Sequence, residues 1–570
     1  MTGPWEYRDP LEPKLSAEIS AQTLMDHVRT IAAWERESGS PGEAQAFDYI
    51  ERTLTSYGVD VERRQIDAYI SLPVDGRLHL DDGTVIQGLT HSFSPSVDAL
   101  EGELIDVGDG SPADLARAAG KIALVRGLAT PGKAWAAQQA GSLAQVFEVM
   151  DHLHNMIVTT IWGAPTPETA SRIPATPCLS ILGADGVRLR ARLAQGPLRL
   201  SLTTRVRTGW MPIPHLVGEL PGRVEDRFVL FSGHVDSWHH GAMDNGTANA
   251  TMLEIARLLS ARREALRRGI RFAFWSGHSH GRYAGSAWYA DHAWRDLHAR
   301  CVLHLNVDST GARGATDYSV LHATEDAQSL AETVVGDVTG QRARARRFSR
   351  AGDQSFWGAG VPSAFMSLSG LPKQDTELSR TMERLVGSAG FPWWWHTRED
   401  TIDKIDADVL ALDTKVYLAT ALRWLNAPLL PLDHRRAARA VVAELEALQG
   451  AAGAHFDLAP ALETARRLSE RLEQASARLA RADASRQEAV NRALMRLSRI
   501  LVPLTYTSGD RFTHDLALPI PPLAGLQRAR ELAALDPSSD AYKFTRVALR
   551  RELNRVVHAL DSALSVVDEL

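Results

Sequence analysis

Short apolar runs separated by helix-length segments recur between residues 208 and 430, and this alternation constrains the fold more than any other feature. We predict strands at 228–232, 270–275, 302–308 and 362–366, with a helix at 248–260. Strands that alternate with helices form a mostly parallel sheet covered on both faces. Ligands of such sheets bind at the carboxyl ends of the strands. The pattern therefore predicts an α/β domain with its site at one edge of the sheet.

Changes in composition divide the rest of the chain. At 570 residues the chain is too long for a single core. We predict that residues 1–90 begin the domain that 208–430 complete, and that 91–207 form a small inserted α/β module with strands near 102–107 and 121–127. Residues 431–570 are predicted to be helical, with an apolar seam from Leu458 to Leu479. This seam would pack a helical bundle alone or also support dimerisation.

The overall charge and the chain ends limit the classes of partner. A net charge of −6 gives no reason to expect nucleic acid or an anionic membrane as a partner. The first residues lack the basic and apolar regions of a signal peptide, and no apolar run approaches transmembrane length. We therefore predict a cytoplasmic protein.

Residues of metal-ligand type stand where the predicted strands end. His234 and Asp244 lie ten residues apart, on either side of a Gly-rich loop after the first strand. Asp308 ends a later strand, and His396 precedes a helix start. Imidazole nitrogen and carboxylate oxygen are the ligands that zinc takes while keeping a position open for water. Four such residues in these places favour a metal site over four unrelated polar residues.

Two runs within these segments resemble a known family, the co-catalytic two-zinc peptidases typified by aminopeptidase Y and glutamate carboxypeptidase. They are Gly-His-x-Asp-Ser-Trp…Gly-Ala-x-Asp-Asn-Gly from residue 233 and His-Thr-x-x-Asp-Thr-x-Asp-Lys from residue 396. The resemblance implies a zinc-peptidase-like mixed sheet. It also implies that 91–207 is a protease-associated domain and that 431–570 is the helical dimerisation domain of the glutamate carboxypeptidase and transferrin receptor branch. A homodimer through the C-terminal helices is the implied assembly.

The resemblance also implies roles for individual residues. His234 and Asp308 would bind one metal, Asp244 would bridge two metals, and His396 would bind the second. Asp236 would hold the His234 ring in the tautomer that binds metal. Zinc is the metal that the resemblance favours.

The sequence departs from the family at its catalytic centre. Two adjacent glutamates, a general base and a metal ligand, are replaced here by His278 and Ser279. Three interpretations stay open. His278 or His280 enters the coordination sphere, and the site then suits zinc but also iron, nickel or copper; His278 acts as general base; or catalysis is lost and the protein is a binding scaffold. The retained His234, Asp244 and Asp308 argue against the third interpretation, and one metal is favoured over two.

Aromatic residues close to the motifs indicate the kind of substrate. Three consecutive tryptophans precede His396, and they cannot all point into one core, so at least one is expected to line the cleft. The residues predicted to contact substrate are Trp238, His239, Trp395, Arg350 and Gln354. We therefore predict a metallohydrolase, peptidase-like or amidase-like, that cleaves an amide or other C–N bond of a small aromatic or apolar substrate with a metal-bound water. The alternatives are a non-catalytic scaffold and a mononuclear metal enzyme that does not hydrolyse.

Overall fold

A computed structural model describes residues 4–386, 390–479 and 485–570. The strands are β1 (Asp60–Leu80), β2 (Val85–Thr90), β3 (Val97–Asp106), β4 (Ile122–Arg126), β5 (Ala144–Val149), β6 (Cys178–Leu182), β7 (Leu198–Leu220), β8 (Phe228–His234), β9 (Gly269–Trp275), β10 (Cys301–Asn306), β11 (Val320–His322), β12 (Arg344–Arg346) and β13 (Ser363–Ala364).

Helices connect and cover these strands. They are α1 (Glu12–Ala17), α2 (Ala21–Ile31), α3 (Pro41–Ser56), α4 (Pro112–Leu115), α5 (Pro131–Gln139), α6 (Gly183–Leu193), α7 (Ala248–Ser260), α8 (Ala284–His292), α9 (Trp294–Arg300), α10 (Gln328–Thr339), α11 (Glu377–Val386), α12 (Ala407–Asn426), α13 (His434–Ala452), α14 (Ala459–Leu479), α15 (Gln487–Tyr506) and α16 (Asp540–Val567).

One mixed sheet contains eleven of the described strands, in the order β1-β2-β6-β5-β4-β3-β7-β9-β8-β10-β13. Strands β3 to β6 run parallel to one another, and β9, β8, β10 and β13 form a second parallel group. The long strands β1 and β7 pair antiparallel along almost their whole length and join the two groups. The small module at 91–207 is therefore part of the same sheet as the strands that end at the predicted metal site.

The central strands carry apolar side chains on both faces, as a sheet covered by helices requires. Every residue of β8, β9 and β10 is buried. Val229 and Phe231 belong to the core that includes residues of α7 and α12, whereas Phe228 and Leu230 pack with residues of α8 and α9. The helix at 248–260 and the mixed, mostly parallel sheet are confirmed. All four predicted strands are present, but the one predicted at 302–308 ends at Asn306 and the one predicted at 362–366 contains only Ser363 and Ala364.

The C-terminal part is helical, as predicted. Helix α14 packs against α13 and α16. Its seam is buried at Leu458, Ala465, Leu468, Leu472 and Ala475, and Leu462 is half-buried. The side chain of Leu479 lies outside the described residues. No described helix is long and apolar enough to cross a membrane, and the cytoplasmic location stays a prediction.

A buried histidine on one face of the sheet gives a testable link between pH and stability. His215 of β7 is 2% exposed and packs among Trp275, Trp288 and Tyr289. Burial lowers the pKa of His215 from 6.5 to about 3. Below pH 6.5 the unfolded chain therefore protonates this histidine, whereas the folded chain does not do so until about pH 3. The stability that neutral His215 contributes to the fold is lost as the pH falls from 6.5 toward 3.

We expect the substitution His215→Phe to remove this dependence. Relative to the variant, the natural protein should lose about 2–3 kcal/mol of unfolding free energy between pH 6.5 and pH 4.5, at about 1.4 kcal/mol per pH unit. Urea unfolding of both proteins across this range measures the difference. If the unfolding free energies of the natural protein and the variant differ by the same amount at every pH, the account is contradicted, whatever that amount is.

Candidate metal centre

Three parallel strands bring ligand-type residues to one edge of the sheet. His234 is the last residue of β8, Asp308 lies two residues beyond β10, and His278 lies three residues beyond β9. Because β9, β8 and β10 are adjacent and parallel, their carboxyl ends meet. One ligand atom from each of His234, His278 and Asp308 lies within 4.8 Å of the other two.

Asp244 lies between two imidazoles. Its Oδ1 is 3.1 Å from Nε2 of His234, and its Oδ2 is 3.2 Å from Nε2 of His396. Oδ2 of Asp308 is 3.6 Å from the same His234 nitrogen. The four residues that the resemblance implied as ligands therefore converge, and His278 joins them.

Each of the three imidazoles is oriented through its other ring nitrogen. Nδ1 of His234 donates to the main-chain carbonyl of Asp236 at 2.8 Å, and Nδ1 of His396 donates to the carbonyl of Asn155 at 2.7 Å. Nδ1 of His278 donates to Oδ2 of Asp353 at 2.8 Å. Carbonyl and carboxylate oxygens only accept, so Nδ1 carries the proton in all three rings. In the neutral form of each ring the lone pair is therefore on Nε2, and this is the form that binds a metal.

Two atoms at the centre lack partners that a cation would supply. Nε2 of His234 and Oδ1 of Asp244 are buried and lie 3.1 Å apart, but neither makes a hydrogen bond of good geometry. Buried polar atoms are rarely left unsatisfied. Two imidazoles and one carboxylate, here His234, His278 and Asp308, are the donor types of single-zinc hydrolases. The residues present therefore fit a divalent transition metal.

Negative charge around His234 has a clear electrostatic effect. Burial alone would lower the pKa of His234, but the carboxylates of Asp308, Asp236 and Asp244 together raise it well above its usual range. A positive charge on the His234 ring, carried by a proton, is thus strongly favoured. A divalent metal at this ring would supply that positive charge in place of the proton.

A buried arginine, Arg36, fixes the loop between His234 and Asp244. Arg36 is fully buried, and its guanidinium donates to the main-chain carbonyls of Val235, His240 and Gly241 at 2.9, 2.6 and 2.9 Å. Gly241 has a φ of 46°, and a Cβ there would lie 2.1 Å from the carbonyl oxygen of Asp244. Only glycine fits that position, which explains the Gly-rich run before Asp244.

The second motif supplies a support for Asp244 as well as His396. The carboxylate of Asp400 accepts hydrogen bonds from the main-chain nitrogens of Met243 and Asp244, each at 2.9 Å. Burial raises the pKa of Asp400 to about 7, and the nearby charge of Asp244 adds to this rise. Asp400 therefore positions the Asp244 segment from behind and does not line the cavity.

Several predicted residues lie elsewhere than expected. The carboxylate of Asp236 lies 3.7 Å from Nδ1 of His234. It accepts hydrogen bonds from the main-chain nitrogens of His278 and Ser279 and from the Ser38 hydroxyl. The main-chain carbonyl of Asp236, and not its carboxylate, therefore orients His234. His280 is buried against Trp238, with its Nδ1 at 3.0 Å from Ser38 Oγ, and does not join the cluster.

The predicted substrate contacts divide in the same way. Trp395 and Arg350 line the cavity at the metal centre. Trp238 is buried, His239 binds the Asn155 side chain at 3.1 Å, and Gln354 donates to the carbonyl of Phe365, so these three do not line it. Stacking of Trp395 on the His396 ring, with centroids 3.5 Å apart, places that tryptophan at the site.

The cavity at the metal centre has a volume of about 340 Å³ and is walled by three parts of the chain. Its floor carries Asp244, Asp308, His278 and His396. Its apolar wall is built by residues from the 91–207 module, the site domain and the C-terminal part, namely Met156, Ile157, Met366, Met382, Phe391, Trp395, Ala517, Leu518 and Pro519. A small substrate with an apolar group fits such a pocket.

Asp353 is a site residue that the sequence argument missed. Its two oxygens accept from His278 Nδ1 at 2.8 Å and from the Ser286 hydroxyl at 2.7 Å, and it is 1% exposed. We expect Asp353→Asn to weaken metal binding by about 10–100-fold, because the charged partner of a ligating histidine is lost. Competition with a fluorescent zinc chelator measures this affinity. An unchanged affinity in a folded variant would show that the charge of Asp353 does not strengthen metal binding through His278.

Known proteins with similar sequences and folds place this chain in a class. Two zinc-aminopeptidase-like structures superpose on it: the aminopeptidase from Aneurinibacillus sp. strain AM-1 (TM-score 0.55, 22% identity, 73% of this chain and 96% of that one) and BSAP, a zinc aminopeptidase from Bacillus subtilis (TM-score 0.55, 22% identity, 71% and 95%). The fold is therefore that of the zinc aminopeptidases. Residues 215–421 match the model of Peptidase family M28, which confirms the predicted resemblance.

Sequence relatives come from both the aminopeptidase and the carboxypeptidase branches. The chain is 26% identical over 435 residues to probable lipoprotein aminopeptidase LpqL of Mycobacterium tuberculosis, covering 70% of this chain and 84% of that protein. It is 26% identical over 265 residues to probable glutamate carboxypeptidase VP8 of Zea mays, covering 43% of this chain and only 35% of that protein. A match of 32% identity over 102 residues links it to transferrin receptor protein 1 of Gallus gallus, across 17% of this chain and 13% of that protein.

Proposed function

We propose that this protein is a metal-dependent hydrolase that cleaves the amide bond of a small peptide or peptide-like substrate, and that it works with one metal. The observation that carries the proposal is the convergence of His234, His278 and Asp308, each of which offers one ligand atom within 4.8 Å of the other two. The His278 ring stacks on the His234 ring with centroids 3.7 Å apart, so one of the two rings has to turn for both to hold one ion. Zinc is the metal we propose, since the zinc aminopeptidase fold and this donor set both suit it. The same donor set would also accept non-haem iron.

The second metal position of the family loses a ligand in this chain. Ser279 stands where the family has a glutamate, and its main-chain nitrogen donates to Asp236 at 2.8 Å. A neutral hydroxyl compensates little of the charge of a divalent cation. His396 and Asp244 alone would hold a second metal weakly, so one metal per chain is proposed.

In the proposed reaction the site residues have three roles: metal binding, substrate positioning and proton transfer. His234, His278 and Asp308 would hold a divalent cation. Such a cation would supply Lewis acidity and the acidity that lets a water molecule act as a nucleophile near neutral pH. The apolar wall, including Trp395 and Leu518, excludes bulk water and positions the substrate. His396, which faces Asp244 at 3.2 Å and has its Nδ1 proton held by Asn155, is placed to take and return a proton.

Hydrolysis assays test this proposal directly. The zinc-loaded protein should cleave members of a panel of dipeptides and amino-acid p-nitroanilides, lose this activity on dialysis against a chelator, and regain it with zinc. A folded, metal-loaded protein that turns over nothing in a broad panel of amides would support the non-catalytic scaffold instead.

We also propose a homodimer through the C-terminal helices. Helix α16 leaves Phe544 and Val547 71% and 52% exposed, an unusual position for large apolar side chains on a helix. A Phe544→Glu, Val547→Glu variant should elute as a monomer in gel filtration where the natural protein elutes as a dimer. A natural protein that elutes as a monomer at micromolar concentration would contradict the dimer.

A further inference from the structure

Two arginines in the cavity wall have no carboxylate partner among the described residues. Arg282 and Arg350 both line the cavity at the metal centre. The guanidinium of Arg350 donates to the main-chain carbonyls of Gln354 and Asp515, at 3.0 and 3.1 Å, and stacks over the Trp162 ring at 3.8 Å. These carbonyl groups accept two of its hydrogen bonds, and the Asp515 carboxylate compensates part of its charge without forming an ion pair with it.

The hydrogen-bonding capacity of both side chains is also incompletely used. The Nε atoms of Arg282 and of Arg350 are buried and have no hydrogen-bond partner. Burial lowers the pKa of Arg350 to about 10, and the charge of Arg282 contributes to this decrease, so Arg350 stays charged at neutral pH. Two cations near each other in a partly dehydrated wall are unfavourable unless an anion joins them.

Aromatic rings connect this pair to the metal centre. The Tyr283 ring lies 4.8 Å from the His278 ring, and the Arg282 guanidinium lies 5.1 Å from the Tyr283 ring. The Trp162 ring, which carries Arg350, lies 4.2 Å from the Tyr283 ring. Arg282 is therefore one aromatic side chain away from His278, and Arg350 is two away, through Trp162 and Tyr283. The carboxylates that line the same cavity, Asp244 and Asp308, belong to the metal centre.

We propose that Arg282 and Arg350 bind a carboxylate of the substrate, so that the substrate is a small amide with a free carboxylate near the scissile bond and an apolar group against the cavity wall. N-acyl amino acids and dipeptides have this chemistry. The inference rests on the proposed function, because it names the substrate of the same site. Guanidinium groups suit this role, since their planar donors match a carboxylate.

Binding of a matched pair of ligands tests the inference. Calorimetry with the zinc-loaded full chain compares N-benzoylglycine, which has a carboxylate, with N-benzoylglycinamide, which is neutral. We expect the acid to bind at least about 10-fold more tightly, as a charge-assisted hydrogen bond to a buried guanidinium provides. Arg282→Gln and Arg350→Gln should each remove most of this preference. Arg342→Gln removes an exposed arginine on the segment before Arg350 and should keep it.

Further variants and outcomes separate the explanations. Arg350→Lys keeps the charge and should keep part of the preference, which distinguishes recognition from a packing defect at Trp162. If the acid is preferred equally in the glutamine variants, the metal binds the carboxylate and the inference is overturned. Equal binding of acid and amide to the natural protein, or no binding of either, also overturns it. Inorganic phosphate that binds more tightly than the acid would overturn the assignment to a carboxylate.

Metal analysis of the same samples keeps this inference separate from the proposed function. Stoichiometric metal and amide hydrolysis with no acid preference would contradict only the arginine subsite. Absence of metal from the natural protein would contradict the proposed function itself.

Discussion

Replacing His278 with alanine is expected to remove both the metal and the activity. This ring offers one of three ligand atoms that lie within 4.8 Å of each other, and its loss leaves one imidazole and one carboxylate. We expect metal affinity to fall by well over the ~100-fold seen when only a supporting residue is lost, and hydrolysis to fall with it. Chelator competition measures the affinity, and initial rates measure the activity.

A matched control makes this prediction specific. His292 is an exposed histidine on α8 that stacks on Trp288, away from the cavity. His292→Ala should keep the metal and the activity. If His278→Ala keeps stoichiometric metal but loses activity, His278 is a general base, as the second interpretation of the sequence holds.

Replacing His396 with glutamine is expected to separate metal binding from catalysis. In the one-metal account His396 moves a proton and binds no metal, so the variant should keep the metal content of the natural protein. Its turnover should fall by about 10²–10⁴-fold, which is the usual contribution of a positioned general base. The two measurements are metal content per chain and kcat on the best substrate of the panel.

The opposite account makes a different prediction for the same variant. If His396 is a ligand of a second metal, the natural protein would hold two equivalents and the variant one. His292→Ala again serves as the control, with unchanged metal and unchanged kcat.

The fold and most of the metal centre could be predicted because their signals are local. Apolar runs such as 228–232 identify buried strands, and His234, Asp308 and His278 follow such strands by at most three residues. Parallel strands bring their carboxyl ends together whatever the details of the loops. The positions of these side chains therefore follow from the order of the elements.

The supports of the centre could not be predicted in the same way, because their contacts span long distances along the chain. Asp353 meets His278 across 75 residues, and Asn155 meets His396 across 241. Arg36 reaches the loop after His234 across about 200 residues. No pattern within a short window marks such pairs, although Asp353 adjoins Gln354, which the sequence argument singled out.

The choice between His278 and His280 depends on loop geometry that sequence spacing leaves open. The two residues are separated by Ser279, and either could have faced the cavity. In the structure the His278 ring stacks on His234 with centroids 3.7 Å apart, whereas His280 packs against Trp238. The role predicted for the Asp236 carboxylate, holding the His234 ring, also depended on this geometry. In the structure that carboxylate supports the turn at 278–279, and the main chain of Asp236 orients His234.

The most direct test of the one-metal centre is the metal content per chain, measured by plasma mass spectrometry on protein purified without chelator or nickel affinity resin. The account predicts about one equivalent of a single transition metal, with zinc as the expected element. Two equivalents would restore the two-metal arrangement of the family and contradict the role given to His396. No stoichiometric metal, even after reconstitution with zinc, would contradict the metal centre altogether.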